Sequence, residues 1–187
     1  MPQLSLHTPI GPITVSAEQE VIVALDWGWG RDQEPTPVLT EAKSWLQDYF
    51  DRQIRPMTLP LDPFGTAYRR RVWSVIAGIA PGETWSYARV AEAAGGVARS
   101  IGAAMAHNPI PILIPCHRVV GSTAQGRFVI GGYSGGEGPE TKRFLLDLEA
   151  QAATGMAAAG AGQTVLALSP PDAHAGPGSR PQQRITR

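Results

Sequence analysis

The apolar residues change period at about residue 62, and this change limits the chain to a sheet-bearing part followed by a helical one. Before it, Gln3–Thr8, residues 12–16 and residues 20–26 are short runs with β-branched residues and partial alternation, broken by Pro9-Ile10-Gly11 and Ala17-Glu18-Gln19. They predict a small antiparallel sheet. Thr40 stands as an N-cap ahead of Ala42, Trp45, Leu46, Tyr49 and Phe50, whose helical spacing gives one apolar stripe able to close that sheet. A connector with Pro56, Pro60 and Pro63 follows. Beyond it, Ala67, Tyr68, Val72, Val75, Ile76 and Ile79 mark a second amphipathic helix, ended by Pro81-Gly82. Residues 86–94 and 98–107 form two helices joined by Gly95-Gly96, the layout of a helix-turn-helix, and Asn108-Pro109 stops the second. Phe144, Leu145 and Leu148 mark a last apolar helix that ends at Glu149.

From Ala150 onward half of the 38 residues are Ala, Gly or Pro and none is aromatic, so too little can be buried to offset ordering. The expected division is a 1–61 α/β unit with its linker, a 62–150 unit, and a disordered 151–187 tail. Within that tail, Val165-Leu166-Ala167-Leu168 offers one short apolar contact.

Charge separates along the chain although its total is zero. Residues 1–51 hold two basic against eight acidic groups, net −6, whereas residues 52–143 hold eleven against five, net +6. A polyanion is drawn to the middle and repelled by the start. Arg69-Arg70-Arg71, taken alone, also reads as a solvated helix face. A single cysteine, Cys116, excludes an internal disulfide and a cysteine-rich zinc site, and so points to a reducing cytoplasm. No apolar run approaches the roughly 20 residues that span a bilayer, and residues 1–10 lack the basic start and apolar stretch of a signal peptide.

Cys116 lies in Pro111-Ile112-Leu113-Ile114-Pro115-Cys116-His117-Arg118-Val119-Val120. A lone buried cysteine is more often an inert small hydrophobe. Here an imidazole and a guanidinium follow at once, and either favours the thiolate that attacks. In an extended chain adjacent side chains point to opposite faces, so a proton path from Cys116 to His117 needs a turn or a bridging water. Asn108 can brace that turn with its amide or serve as an ordinary helix-end asparagine. Glu149 can accept a proton from His117 or stand exposed. Tyr133-Ser134-Gly135-Gly136 can close over a flat ligand or merely turn the chain.

These residues resemble the 6-O-alkylguanine-DNA alkyltransferase family, the methylated-DNA-protein-cysteine methyltransferases. Ile114-Pro115-Cys116-His117-Arg118-Val119 reproduces the family's acceptor motif, with Asn108-Pro109 at the family's spacing before it. Arg71-Val72-Trp73, Gly82-Glu83-Thr84 and Ser86-Tyr87 match its upstream blocks, and the likeness is strong over residues 65–149. The resemblance implies an α+β fold: a small ribonuclease H-like N-terminal sheet with a helix, then a mainly α, winged-helix-like helix-turn-helix domain carrying the cysteine. It implies DNA repair by direct reversal, each molecule moving one alkyl group from 6-O-methylguanine, with 4-O-methylthymine as a further substrate, irreversibly to Cys116.

In that reading His117 takes the thiol proton through a water, Glu149 orients His117, and Asn108 braces the turn. Tyr87 and Arg99 extrude the damaged nucleotide, Arg118 meets substrate or DNA, and Val119, Tyr133 and Ser134 line the guanine pocket. The recognition helix lies in the minor groove of double-stranded DNA with the base flipped out. No cofactor, metal, membrane or obligate protein partner is implied; the expected form is a cytoplasmic monomer, at the nucleoid in a bacterium. Two departures stand out: the Tyr87-to-Arg99 stretch is two residues shorter than the family pattern, and the loop around residues 125–130 is longer. Two rivals remain: a non-catalytic lesion binder, which Cys116 argues against, and a thiol hydrolase, for which no oxyanion-hole element is recognisable.

Overall fold

A computed structural model describes residues 1–161 except 124 and 126, with backbone alone over residues 155–161. Strands β1 (Gln3–Thr8), β2 (Gly11–Glu18) and β3 (Val21–Trp27) form an antiparallel sheet in that order, with Leu4 opposite Val15 and Val15 opposite Leu25. Helix α1 (Pro37–Phe50) closes it, burying Val38, Leu39, Ala42, Trp45, Leu46 and Tyr49. Its cap is Thr36, not the expected Thr40. Thr36 Oγ1 accepts from Leu39 N at 3.4 Å, Pro37 takes the first helical position, and Glu20 Oε2 accepts from Val38 N at 3.0 Å. Thr40 sits one turn inside, its N–H donating to Thr36 O. Both threonines suit a cap by type, and the proline decides, since its missing N–H costs nothing at that position.

The connector runs extended beside β3: Ile22 N donates to Pro60 O at 3.0 Å and Asp62 N to Ile22 O at 2.9 Å. Helix α2 (Ala67–Ala77) is capped by Thr66 and stops at Gly78, so Ile79 lies past it, still buried. Strand β4 (Trp85–Ser86) leads into α3 (Tyr87–Ala94), and α4 (Ala98–Ala106) completes the helix-turn-helix. Gly95 and Gly96 have φ of +74° and +126°, and a Cβ on Gly96 would lie 2.4 Å from the Tyr68 hydroxyl. Only glycine fits so short a turn. Strand β5 (Val119–Ser122) pairs parallel with β4 and antiparallel with β6 (Phe128–Val129), a small wing beside the helices.

Helix α5 spans Pro139–Ala161 and buries Ala152, so a tail starting at residue 151 would begin inside a helix. Alanine has the highest helix propensity, and the alanines there extend what Leu145 and Leu148 anchor. Val165 to Leu168 fall outside the described residues. One apolar cluster joins both parts of the chain, from Leu6 and Ile13 to Ile101, Ile114 and Leu148. Of the arginine triplet, Arg70 pairs with Asp62 at 2.8 Å and Arg71 donates to Ala94 O at 2.7 Å. Among the described residues no helix is long and apolar enough to cross a membrane.

Candidate active site

The approach to Cys116 is a chain of tight turns. Asn108, two residues past the end of α4, clamps them: its Oδ1 accepts from Ile110 N at 3.1 Å and its Nδ2 donates to Ile114 O at 2.8 Å. Between these points Leu113 N bonds to Pro111 O across Ile112, whose φ is +73°. A β-branched residue in that region is strained, and the Asn108 clamp together with burial of Ile112 holds it there. Pro115, at φ −82° and ψ 62°, makes the next turn, with Cys116 N donating to Ile114 O at 2.8 Å. This is the inverse γ geometry that a proline ring favours.

Cys116–Arg118 then form a single 3-10 turn, which answers the sequence-level difficulty that neighbours in an extended chain diverge. The turn leads His117 and Arg118 to one carboxylate, Glu149 of α5. His117 Nε2 donates to Glu149 Oε1 at 2.8 Å, and Arg118 Nη2 and Nε donate to Oε1 and Oε2 at 2.8 and 2.9 Å. Gly82 N donates to Oε2 at 3.1 Å, and Tyr49 Oη of α1 donates to Oε1 at 2.8 Å. Glu149 and His117 are fully buried. Burial opposes ionisation of Glu149, but the hydrogen bonds from His117 and Arg118 together with the Arg118 charge outweigh it and hold its carboxyl well below the usual carboxylate range. Burial pushes the His117 pKa down against the pull of Glu149, favouring neutral imidazole. With Nε2 carrying the proton for Glu149, Nδ1 presents a lone pair, and it has no hydrogen-bond partner among the described residues.

Cys116 is 4% exposed and borders a cavity of about 310 Å³ shared with Tyr87, Gly102, Met105, Ala106, Tyr133 and Ser134. A larger cavity, about 500 Å³, is bounded by Arg118 and Glu149 but not by Cys116, so the thiol belongs to the smaller one. Burial pushes the Cys116 thiol up; the Asn108 amide and the Lys142 charge pull the other way without offsetting it. At rest the group is a thiol in need of a base.

Two sequence expectations are corrected here. Arg118, placed at substrate or DNA, is buried, with its guanidinium committed to Glu149 and to Ile79 O; burying a guanidinium demands such partners. Val119 is fully buried outside the cavity lining, and its carbonyl accepts from Lys142 Nζ at 2.6 Å. The cation acting on the thiol is therefore Lys142, which the sequence reading missed. It is 1% exposed, 5.9 Å from the Tyr87 ring centre, and burial lowers its pKa. In Thr141-Lys142-Arg143 nothing but helical phase distinguishes it from a surface lysine.

Tyr87 and Tyr133 face the cavity. Burial, then the neighbouring cysteine, raises the pKa of both phenols, and the Tyr133 hydroxyl has no partner among the described residues. Gly102 and Ala106 of α4 edge the same cavity, while Arg99 stands exposed at the start of that helix. Ser100 is held by Tyr68 at 2.6 Å and by Val97. The N-terminal sheet supports the site from behind. Leu25 N donates to Pro109 O at 2.9 Å, and a Cβ on Gly135 would meet the Trp27 ring at 2.4 Å, so glycine there lets the loop after Tyr133 and Ser134 lie on β3.

Two family models match this chain: "6-O-methylguanine DNA methyltransferase, ribonuclease-like domain" over residues 4–63, and the DNA binding domain of the same name over residues 67–151. The constitutive methylated-DNA–protein-cysteine methyltransferase of Bacillus subtilis is 36% identical over 156 residues, covering 76% of this chain and 92% of its own. The methylated-DNA–protein-cysteine methyltransferase of Mycobacterium leprae is 37% identical over 155 residues, covering 78% and 90%. A crystal structure of Mycobacterium tuberculosis OGT in complex with DNA matches with a TM-score of 0.70 at 35% identity, covering 81% of this chain and 94% of that one.

Proposed function

Because the chain belongs to the 6-O-methylguanine DNA methyltransferase family, whose members repair DNA by alkyl transfer to a cysteine, we propose that Cys116 is the acceptor and that the cavity beside it receives the flipped base. The observation that carries this reading is the convergence at Cys116: its lone thiol borders the cavity, and the next residue is a neutral histidine already oriented by a buried carboxylate.

The reaction is substitution at a saturated carbon. His117 Nδ1 accepts the thiol proton through a water, Cys116 Sγ attacks the methyl carbon, the S–C bond forms and the C–O6 bond breaks. The electron pair leaves on guanine, which takes a proton from the Tyr87 hydroxyl, and that phenol is restored from the His117 side. Lys142 stabilises the thiolate as it forms, and Asn108 fixes its position. Tyr133 and Ser134 border the base. The thioether has no route back, so each molecule reacts once.

In this proposal α4 lies against the minor groove with its exposed small residues, Ala103 and Ala106, permitting close approach. Binding is carried by phosphate contacts of the basic 52–143 region, and α4 brings the cavity mouth to the base. Arg99 fills the vacated stack while Tyr87 works on the neighbouring phosphate. Intact-protein mass after incubation with duplex DNA containing 6-O-methylguanine tests the reading: a gain of one methyl group located at Cys116 supports it, and an unmodified protein overturns it.

Arg99 separates flipping from chemistry. Arg99→Ala slows repair in duplex DNA about a hundredfold, on the order of 2.7 kcal/mol in the barrier, while reaction with free 6-O-benzylguanine stays near wild type because no extrusion is needed. Equal slowing on both substrates assigns Arg99 a structural role instead.

A further inference from the structure

Glu149 receives one hydrogen bond from outside the helical part of the chain, and nothing in the mechanism above uses it. The donor is Tyr49 on α1, fully buried, 100 residues away in sequence, with its hydroxyl 2.8 Å from Glu149 Oε1. That oxygen is also the one His117 Nε2 binds, and Arg118 Nη2 reaches it at 2.8 Å. The ring is held on both sides: it stacks on Trp45 at 5.4 Å and meets the edge of Phe50 at 5.3 Å. Ordinary packing of an apolar stripe needs no hydroxyl at this place. A phenylalanine would fill the same volume with no polar tip to satisfy.

We propose that Tyr49 is a positioning residue of the N-terminal unit that sets the basicity of His117 by sharing the Glu149 oxygen to which His117 donates. The inference rests on the reading of Cys116 and His117 as acceptor and base. A further donor on that carboxylate oxygen withdraws electron density from it, and the His117 N–H then gives its proton less readily to that oxygen. The effect passes through the ring to Nδ1, the atom that takes the thiol proton. Tyr49 thus keeps His117 a weaker base than a Glu149 bonded only to His117, Arg118 and the Gly82 N–H would make it, so the imidazole stays neutral and ready at lower pH.

The groups facing the Glu149 carboxylate are Tyr49 from α1 and His117 and Arg118 from the cysteine turn, with Cys116, Tyr133 and Lys142 around them. Burial and the Glu149 charge push the Tyr49 phenol well above its usual range, so it remains a donor at every working pH. The acid limb of the rate is thereby assigned to His117.

The test is the pH dependence of single-turnover methyl transfer by the full chain on methylated duplex DNA, with melting temperature recorded for each variant. Tyr49→Phe shifts the acid limb upward by about one pH unit, the order expected for one hydrogen bond to an ionised group. Incorporation of 3-fluorotyrosine at position 49, which keeps the shape and strengthens the donor, shifts the limb downward. A structural role predicts a rate lowered at all pH with the limb unmoved, and that result, or shifts of the same sign in both variants, overturns the inference. Should Tyr49→Phe fold poorly, the fluorinated protein alone decides by the sign of its shift. Absence of methyl transfer in the wild-type protein would overturn the underlying reading, an outcome separate from a wild-type enzyme whose acid limb ignores position 49.

Discussion

Cys116→Ala abolishes methyl transfer and leaves affinity for DNA nearly unchanged. The chain has no second cysteine, so no other thiol is present to take over. The thiol is 4% exposed at the inner wall of the cavity, while the groups proposed to meet DNA, Arg99 and the small exposed residues of α4, lie on the outer face of the helix-turn-helix. Alanine removes a single heavy atom from that wall. The cost in stability is about 1 kcal/mol, small beside the loss of the reaction. Gel-shift titration and transfer assays on one preparation check both halves. Transfer at the wild-type rate would overturn the assignment of Cys116, and a large fall in affinity would show that the thiol wall helps to hold DNA.

Glu149→Gln carries the second large effect and acts on stability and rate together. The carboxylate is the common acceptor for Tyr49, Gly82, His117 and Arg118 inside the protein. A glutamine accepts through one oxygen only, sets its NH2 against donors, and leaves the Arg118 guanidinium buried without its counter-charge. Breaking one side of such a pair costs about 3–5 kcal/mol. His117 also loses the acceptor that fixes its tautomer, and removing support for a general base lowers transfer by roughly 10²-fold or more.

The pH dependence has a definite sign. The folded-state pKa of Glu149 is held below its unfolded value, and so is that of His117. Each therefore contributes stability that is present above its unfolded pKa, about 4.3 and 6.5, and that is lost as pH falls below it. The wild-type protein melts at progressively lower temperature below about pH 6.5, and the Glu149→Gln variant lacks the part of that fall which begins near pH 4.3. Thermal melts of both proteins between neutral and acid pH measure this. Parallel curves would mean that the carboxylate is not the ionised centre described.

The strands were legible because β-branched residues alternate between clear turn residues, and the helix-turn-helix because Gly95-Gly96 interrupts two apolar stripes. Helix ends were less so. Thr36 and Thr40 are chemically equal, and only Pro37 at the first helical position and Glu20 reaching from the β2–β3 turn distinguish them. The site was half legible. Cys116, His117, Asn108 and Glu149 were named from the chain and are brought together, since tight turns around Pro115 and Asn108 can be anticipated from residue type. Arg118 was misdirected because adjacency in sequence says nothing of direction in a 3-10 turn. Lys142 was not singled out, and Tyr49 stood only as a member of the α1 apolar stripe; their polar tips acquire meaning only from the partners the fold brings to them, Val119 O and the Cys116 thiol for Lys142 and Glu149 for Tyr49.

The contact between Tyr49 and Glu149 also has a temporal side. The carboxylate lies on the last described element, and its partners at positions 49, 82, 117 and 118 precede it in the chain. A polypeptide grows from its N-terminus, and contacts distant in sequence are late to form because loop closure must come first. Until α5 docks, the nascent chain holds a thiol without an oriented base, and the warhead is safe. Arming therefore comes late in folding: a protein that reacts only once acquires its reactivity when α5 brings Glu149 to His117.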